Sequence, residues 1–499
     1  MNYLVNSTTN RKGDDILLLT HKDTSAHKIE VRNFYLVDVS GNIVKEVDID
    51  NRLTEIFVSR LDKYDPHQAR LIPITLLDDD KDVVKLSDDK LLSSVIHLKT
   101  HKESSYTSTG EKLAWHNPIF DKLKNTGYGS IIRSTLTMHQ RCTSRCPYCS
   151  TIARNKSDSI SLEEAKEFIN KLYFEQADYN RLNFPEYNDR YKEITGSDIR
   201  LKGVILSGGG QPNLWPHFTE FVEWLSELDL DLGLITNGFP KNVPDEIYNK
   251  FKWVRISITP EDASPHYIDK KFENQYIPFN LKNSDTLTVG YSYVFGEWTD
   301  DSMLMRLQNS AVDNGFEYVR VLTDCNLTRN DQLCSHKRLS DSLMRVGLID
   351  ESGNPTGRIF HQLKYHGTKD EADSIWTKGQ CLLQSYNVFW DTTGHDENKY
   401  SSCYPCDSVT VLADGDNDFN PSPSTRRFDA STYGTYKNTE VEKLYNLPLK
   451  SFFDPRETCS SCLFMKNNAT ISKHLSGEKD LNKVYIDNLN SPPNHINFP

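Results

Sequence analysis

The sequence contains no long hydrophobic run. An early apolar stretch, residues 16–19, directly follows Asp14 and Asp15, and no segment approaches the roughly 18 apolar residues of a membrane span. The first six residues also lack the apolar block of a signal peptide. We therefore expect a cytoplasmic protein with no membrane partner.

Positive charge is scarce relative to negative charge. The chain of 499 residues has 58 Lys and Arg against 70 Asp and Glu, which gives a net charge of −12. An acidic surface repels phosphate backbones, so no nucleic-acid partner is expected. With 37% hydrophobic residues and a mean hydropathy of −0.60, the composition is that of a soluble globular protein, and the length predicts about two to four domains.

Cysteines are few, and none occurs in the first 141 residues. Without an export signal, grouped thiols indicate metal or catalytic sites rather than disulfides. The ten cysteines are Cys142, Cys146, Cys149, Cys325, Cys334, Cys381, Cys403, Cys406, Cys459 and Cys462.

Composition and patterning divide the chain into five predicted segments. They are a β-rich N-terminal module at 1–125, an α/β domain at 126–325, a helical bridge at 326–380, a small cysteine-rich domain at 381–470 and an extended tail at 471–499. From its position alone, the N-terminal module is expected to recognise the substrate.

Six short apolar runs alternate with helical stretches in the α/β domain. They lie at 131–138, 204–206, 232–235, 254–258, 286–291 and 318–322. Such alternation predicts a parallel sheet or a partial barrel. Ser161 followed by Glu164 predicts a capping box at the start of a helix.

The first cysteine group follows the first predicted strand. Cys142, Cys146 and Cys149 place three thiols within eight residues. A structural zinc site needs four protein ligands, whereas three thiolates can hold three irons of a [4Fe–4S] cluster and leave the fourth iron open. The spacing favours iron–sulfur, and zinc stays open as the alternative.

Small and polar residues follow the next three strands. They are Ser207 to Pro212, Thr236-Asn237-Gly238 and Ser257-Ile258-Thr259. A phosphate-binding loop fits the glycine run poorly, because no Gly-Lys-Ser/Thr follows it and Pro212 removes a backbone N–H. Parallel α/β folds bind ligands at the carboxyl ends of their strands, so four such ends predict one site.

Together these motifs resemble the radical S-adenosylmethionine superfamily. The cysteine spacing matches its signature, and residues 207–212 and 235–238 are similar to its second- and third-strand elements. Over residues 126–325 the resemblance implies a partial (β/α)6 barrel with a [4Fe–4S] cluster at Cys142, Cys146 and Cys149 and S-adenosylmethionine on the open iron. The implied cosubstrate-binding residues are Tyr148, Gly208, Gly209, Gly210, Gln211, Asn237, Ser257 and Thr259.

The resemblance also implies a reaction. One electron from a donor such as flavodoxin or ferredoxin cleaves S-adenosylmethionine to methionine and a 5′-deoxyadenosyl radical, which takes a hydrogen atom from a substrate. Where the superfamily usually has Glu, this chain has Gln211. Its amide can accept a hydrogen bond from the methionine ammonium but offers no charge, so somewhat weaker cosubstrate binding is expected.

The second cysteine group lies after the predicted barrel. Two CxxC pairs, Cys403/Cys406 and Cys459/Cys462, are compatible with a zinc ribbon. With Cys381 before them, their order is similar to the auxiliary-cluster domains called SPASM and twitch, and the shortened twitch form fits better because no cysteine follows Cys462. The implied ligands of a second [4Fe–4S] cluster are Cys381, Cys403, Cys459 and Cys462, with Cys406 as a further candidate and zinc as the alternative.

Three functions remain open at this stage. The first is a peptide-modifying radical enzyme that oxidises or cross-links its substrate, because enzymes of this superfamily commonly modify peptides. The second is a radical dehydrogenase of a small polar molecule such as an aminocyclitol. The third is a non-catalytic, zinc-stabilised binding protein. The sequence identifies no catalytic acid or base.

Overall fold

The computed structural model describes the backbone of residues 3–9, 15–21, 34–37, 43–47, 75–77, 110–144, 146, 148–149, 156–239, 243–258, 281, 287–324, 327, 329–351, 353–362, 381–391, 402–404, 434–435, 440–449, 464–489 and 492–499. The chain divides into two compact units, residues 1–105 and 106–499. Each unit is described by itself.

The described residues of the first unit form two antiparallel sheets. β1 (Tyr3–Thr9) pairs with β2 (Asp15–His21). In the second sheet, β3 (Phe34–Val37) lies between β4 (Ile43–Val47) and β5 (Thr75–Leu77). A substrate-recognising module over residues 1–125 stays a prediction.

One ten-stranded sheet forms the centre of the second unit. Its strands are β6 (Arg133–Thr137), β7 (Gly203–Ser207), β8 (Asp231–Thr236), β9 (Trp253–Ile258), β10 (Thr288–Phe295), β11 (Tyr318–Thr323), β12 (Ile359–Gln362), β13 (Asn387–Asp391), β14 (Ser402–Tyr404) and β15 (Gly434–Thr435). The order is β12-β11-β10-β9-β8-β7-β6-β13-β14-β15, and the first eight strands in this order are parallel to their neighbours. From β6 to β11 the order in space follows the order in the chain, as in α/β barrels.

The α/β class and all six predicted strands are confirmed, but the parallel part of the sheet is larger than predicted. β12 and β13 add one parallel strand at each flank. β12 has only four residues, and β13 lies within the cysteine-rich segment. Neither Ile-Phe-His-Gln nor Asn-Val-Phe-Trp-Asp alternates apolar and polar residues, and such alternation is a signal that predicts a strand.

Helices connect the strands and extend the unit at both ends. They are α1 (Gly110–Ala114), α2 (Asn117–Thr126), α3 (Leu162–Asn170), α4 (Gln176–Asn183), α5 (Pro185–Thr195), α6 (Phe218–Glu227), α7 (Asp301–Asp313), α8 (Arg329–Arg345), α9 (Glu440–Asn446), α10 (Met465–Ser476) and α11 (Leu481–Asp487). A π-helical turn, Lys171–Glu175, joins α3 to α4. The predicted capping box is confirmed, because Ser161 N–H donates to Glu164 Oε2 at 2.9 Å and Glu164 N–H donates to Ser161 Oγ at 3.2 Å.

The main core lies between the sheet and its connecting helices. Val204, Leu234 and Val254 belong to the same buried cluster as Phe221 of α6 and Leu307 of α7. Right-handed crossovers between parallel strands in chain order place the helices on one side of the sheet. The opposite face is therefore available to line a cavity.

C-terminal residues cover part of that opposite face. Ile205 and Trp253 alternate with the helix-facing residues, and both cluster with Phe498. The ring centroids of Trp253 and Phe498 are 5.5 Å apart, and Arg133 Nη1 donates to the Pro499 carbonyl at 2.6 Å. The segment 471–499, expected to be an extended tail, thus contains helix α11 and packed residues.

Among the described helices, none combines the length and apolar character needed to cross a bilayer.

Candidate active site

The carboxyl ends of β7 to β11 and the loop after β6 surround a cavity of about 270 Å³. The lining residues are Cys142, Ser144, Cys146, Tyr148, Cys149, Ser207, Gly208, Gly209, Gly210, Gln211, Ile235, Thr236, Asn237, Ser257, Ser292, Val294, Leu322, Thr323 and Asp324. The strand ends that the sequence analysis expected to meet therefore do meet at one site.

Three thiols of the cysteine loop face this cavity. Cys142, Cys146 and Cys149 all line it, and each is partly buried. A turn organises the loop, because Cys149 N–H donates to the Cys146 carbonyl at 3.0 Å. Within the part of the chain that the structure describes, no three His, Cys, Asp or Glu side chains are grouped closely enough to hold a single metal ion. Three soft cysteine sulfurs around a shared space are the ligand type that iron–sulfur clusters use.

The glycine run lets the end of β7 approach the cysteine loop. A Cβ on Gly209 would lie 1.7 Å from Gln140 Oε1, and a Cβ on Gly210 would lie 2.1 Å from the Arg141 carbonyl oxygen. A side chain on Gly210 would push the segment after β7 away from the backbone just before Cys142, and one on Gly209 would displace the Gln140 side chain. The glycines thus allow this segment to approach the residues before Cys142.

Gln211 uses both ends of its side-chain amide within the protein. Its Oε1 accepts a hydrogen bond from Asn237 N–H at 2.9 Å, and its Nε2 donates to Thr236 Oγ1. Gln211 is only 3% exposed. A backbone N–H can only donate, so the atom of the Gln211 amide that contacts Asn237 N–H must be the oxygen. A hydrogen bond to the methionine ammonium stays a prediction and would have to share this oxygen.

Thr236 and Asn213 continue this hydrogen-bond chain below the cavity. Thr236 Oγ1 donates to Asn213 Oδ1 at 3.1 Å and accepts from Gly238 N–H at 2.9 Å. Asn213 Nδ2 donates to the Tyr248 hydroxyl at 2.8 Å. Burial raises the pKa of the Tyr248 phenol well above its ordinary value, so this hydroxyl stays neutral at physiological pH.

Asn237 ties the end of β8 to the cysteine loop. Its Nδ2 donates to Thr143 Oγ1 at 3.0 Å and to Ser144 Oγ at 2.9 Å. Its Oδ1 accepts from Phe239 N–H at 2.9 Å. Two of these contacts reach the residues between Cys142 and Cys146, so Asn237 helps to set the position of the loop.

Aromatic and hydroxyl groups complete the described lining. The Tyr148 ring lies 5.8 Å from the ring of Trp298, centroid to centroid, and Trp298 is 42% exposed. Ser257 lines the cavity at the end of β9. Thr259 lies outside the described residues. The roles of these side chains toward a cosubstrate stay predictions.

Several of the cavity residues were not predicted from the sequence. Ser292, Val294 and Thr323 come from β10 and β11. Ser292 pairs in register with Ser257 on the neighbouring strand, a relation that the sequence alone does not give. Asp324 provides the only carboxylate among the described lining residues.

The auxiliary cysteines fall largely outside the described residues. Cys381 is buried at 6% exposure, in a cluster with apolar residues such as Leu383 and Phe464. The backbone of Cys403 lies in β14 opposite Trp390 of β13. Cys406, Cys459 and Cys462 lie outside the described residues, so the second cluster stays a prediction.

Comparisons with known proteins reveal only distant similarity. No protein-family model matches the chain. Aconitate hydratase A of Rickettsia typhi is 23% identical over 195 residues, which are 37% of this chain, and the chain spans only 19% of that protein's length.

Several solved structures are also similar in part. SuiB of Streptococcus suis bound to S-adenosylmethionine is 12% identical with a TM-score of 0.40, covering 66% of this chain and 69% of SuiB. BtrN in complex with AdoMet and 2-DOIA is 11% identical with a TM-score of 0.25, covering 71% of this chain and 92% of BtrN. Methylornithine synthase (PylB) is 13% identical with a TM-score of 0.25, covering 43% of this chain and 59% of PylB.

Proposed function

We propose that this chain is a radical S-adenosylmethionine enzyme. The observation that carries the proposal is that Cys142, Cys146 and Cys149 line the same cavity as the ends of five parallel strands. A three-cysteine site leaves room for a non-protein ligand, and parallel strand ends are where such folds bind small molecules.

The proposed cluster would supply the electron that cleaves S-adenosylmethionine and so generates the radical that removes hydrogen from a substrate. The chain itself positions the reactants and excludes water. Ser207, Ser257 and Ser292 line the cavity, and a serine hydroxyl can hydrogen-bond a polar cosubstrate. Tyr148 and Trp298 offer aromatic surface beside the thiols.

The proposed substrate is a peptide, which the enzyme oxidises or cross-links. Support comes from the superfamily resemblance of residues 126–325, and a small polar molecule is the alternative substrate. A one-electron donor such as flavodoxin or ferredoxin is the proposed partner. An auxiliary [4Fe–4S] cluster at Cys381, Cys403, Cys459 and Cys462 is proposed on the cysteine order alone.

Anaerobic reconstitution tests the metal content. About four iron atoms per chain are expected if only the barrel cluster forms, and about eight if the auxiliary cluster forms as well. Zinc without iron would instead favour the non-catalytic binding protein.

A triple variant tests the site. Cys142→Ala, Cys146→Ala and Cys149→Ala together should abolish reductive formation of 5′-deoxyadenosine, because the cluster loses all its protein ligands. The matched control is Cys334→Ala on α8, whose thiol is exposed, and this variant should keep the parental rate. If the triple variant also formed 5′-deoxyadenosine at the parental rate, the assignment of the site would be wrong.

A further inference from the structure

We propose that Gln211 is a positioning residue, and that the site needs its amide N–H group rather than a negative charge at this place. Gln211 would hold the end of β8, and through it the cysteine loop, in position. This role depends on the proposed function only where S-adenosylmethionine serves as the probe.

The direction of the hydrogen bonds carries the proposal. A threonine hydroxyl has one proton and two lone pairs. Thr236 accepts from Gln211 Nε2 and from Gly238 N–H, and it gives its proton to Asn213 Oδ1. Every hydrogen-bonding position of this buried hydroxyl is therefore used, and the arrangement requires a donor at Gln211.

A carboxylate at this position cannot donate. Thr236 would have to turn its proton toward the carboxylate, and Asn213 Oδ1 would lose the donor that it now has at 3.1 Å. Restoring a hydrogen bond between Thr236 and Asn213 would require the Asn213 amide and the Tyr248 hydroxyl both to reorient. The new charge would also be desolvated, because Gln211 is 3% and Thr236 is 2% exposed.

The effect reaches the cysteine loop through Asn237. Gln211 Oε1 holds the Asn237 peptide N–H at 2.9 Å. The Asn237 side chain in turn donates to Thr143 Oγ1 and Ser144 Oγ, between the first two cysteines. Removing the Gln211 oxygen would therefore loosen the anchor of the loop, whereas a carboxylate would keep this acceptor and disturb the bond to Thr236 instead.

A positioning role and a direct role toward the cosubstrate predict opposite changes in the affinity for S-adenosylmethionine when Gln211 is replaced by Glu. If Gln211 mainly contacted the methionine ammonium, Gln211→Glu would add an opposite charge and tighten binding of S-adenosylmethionine. If Gln211 mainly donates to Thr236, the same change weakens binding.

The experiment compares Gln211→Glu, Thr236→Val and the double variant in reconstituted protein. S-adenosylmethionine should bind about tenfold more weakly to each single variant, as expected for loss of one buried hydrogen bond. The double variant should be weakened by less than the sum of the two single effects, because both changes break the same bond. A charge acting directly on the cosubstrate would keep its full effect in the Thr236→Val background.

The matched control is Gln176→Glu. Gln176 is fully buried, and its side-chain amide also hydrogen-bonds to backbone. Ile131 N–H donates to Gln176 Oε1 at 2.7 Å, and Gln176 Nε2 donates to the Ile131 carbonyl at 2.8 Å. This site lies at the amino end of β6, away from the cavity. The control should lower stability and leave the affinity for S-adenosylmethionine unchanged.

Hydrogen exchange of the protein without iron supplies the second readout. The Asn237 amide should exchange about tenfold faster in Gln211→Met, which removes the accepting oxygen, than in the parent, and at the parental rate in Gln176→Glu. Tighter cosubstrate binding, or an unchanged Asn237 exchange rate, would overturn the positioning role. A reconstituted parent that holds iron but does not bind S-adenosylmethionine would contradict the proposed function, while the exchange rates would still decide the role of Gln211.

Discussion

Lys122 lies fully buried on α2, where its ammonium donates three hydrogen bonds. The acceptors are the Gly129 carbonyl at 2.8 Å, Ser130 Oγ at 2.6 Å and Asn180 Oδ1 at 2.7 Å. The Phe184 ring lies 4.7 Å away. Burial lowers the pKa of Lys122 from 10.5 to about 7, so the folded protein holds this proton less tightly than the unfolded chain does.

The pH dependence of stability follows from that shift. Between pH 7 and about 10 the unfolded chain binds more protons, so the free energy of unfolding should rise with pH. Lys122→Met should cost about 2 kcal/mol by leaving buried acceptors without a donor, and it should weaken the rise. Part of the increase in the free energy of unfolding with pH should remain in Lys122→Met because of Lys112. Burial and Arg133 lower the pKa of Lys112 to about 7 as well.

Urea denaturation at pH 7 and pH 9 measures both effects. Lys252→Met is the control, because the Lys252 side chain is 60% exposed. An equal pH response in the parent and in Lys122→Met would contradict the assignment of a low pKa to Lys122.

At the scale of elements, Asp121 joins four helices of the second unit. It lies on α2 and accepts from Arg190 Nη2 of α5 at 2.8 Å, from His474 Nε2 of α10 at 2.9 Å and from Asn482 Nδ2 of α11 at 3.3 Å. Burial opposes ionisation of Asp121, but the hydrogen bonds outweigh it and lower the pKa to about 2. The ionised carboxylate is therefore the form that stabilises the fold.

Asp121→Asn should lower the free energy of unfolding by about 1–3 kcal/mol at pH 7, because bonds to a charged acceptor are lost. The stabilisation is present above the ordinary carboxyl pKa of 3.8 and is lost as the pH falls toward 2. The parent and the variant should therefore converge in acid. Asp178→Asn is the control, since Asp178 is 65% exposed in its pair with Arg181 and exposed pairs contribute little. A constant difference from pH 7 to pH 2 would contradict this account.

The sequence predicted elements well where the pattern was long and local. Six strands and the capping box of α3 follow from apolar runs and a four-residue motif. β12 and β13 were not predictable, because their stability comes from pairing with β11 and β6, residues far away in the chain. The cavity was predictable from strand ends, whereas the bonds of Gln211 depend on side-chain orientation, which spacing does not encode.

At the scale of the whole molecule, the C-terminal residues pack on the face of the sheet opposite its connecting helices. His116 Nε2 contacts the Ile496 carbonyl at 3.0 Å, Lys112 Nζ donates to the Phe498 carbonyl at 3.3 Å, and Asn497 Nδ2 donates to Asp231 Oδ2 at 2.8 Å. These contacts join α1, the residue before α2 and β8 to residues that are hundreds of positions away in sequence. A local sequence pattern does not encode such long-range packing.

Phe498→Ala should lower the free energy of unfolding by about 3 kcal/mol, because the ring is 5% exposed and packs on Trp253. Gly203→Ala should also lower the free energy of unfolding. Gly203 lies on β7, and a Cβ there would be 2.3 Å from the Asn497 carbonyl oxygen. Both variants should speed hydrogen exchange in β7 and β9. Ile486→Ala is the control, as that side chain is 62% exposed. If the two variants left exchange in these strands unchanged, the C-terminal residues would not stabilise the sheet.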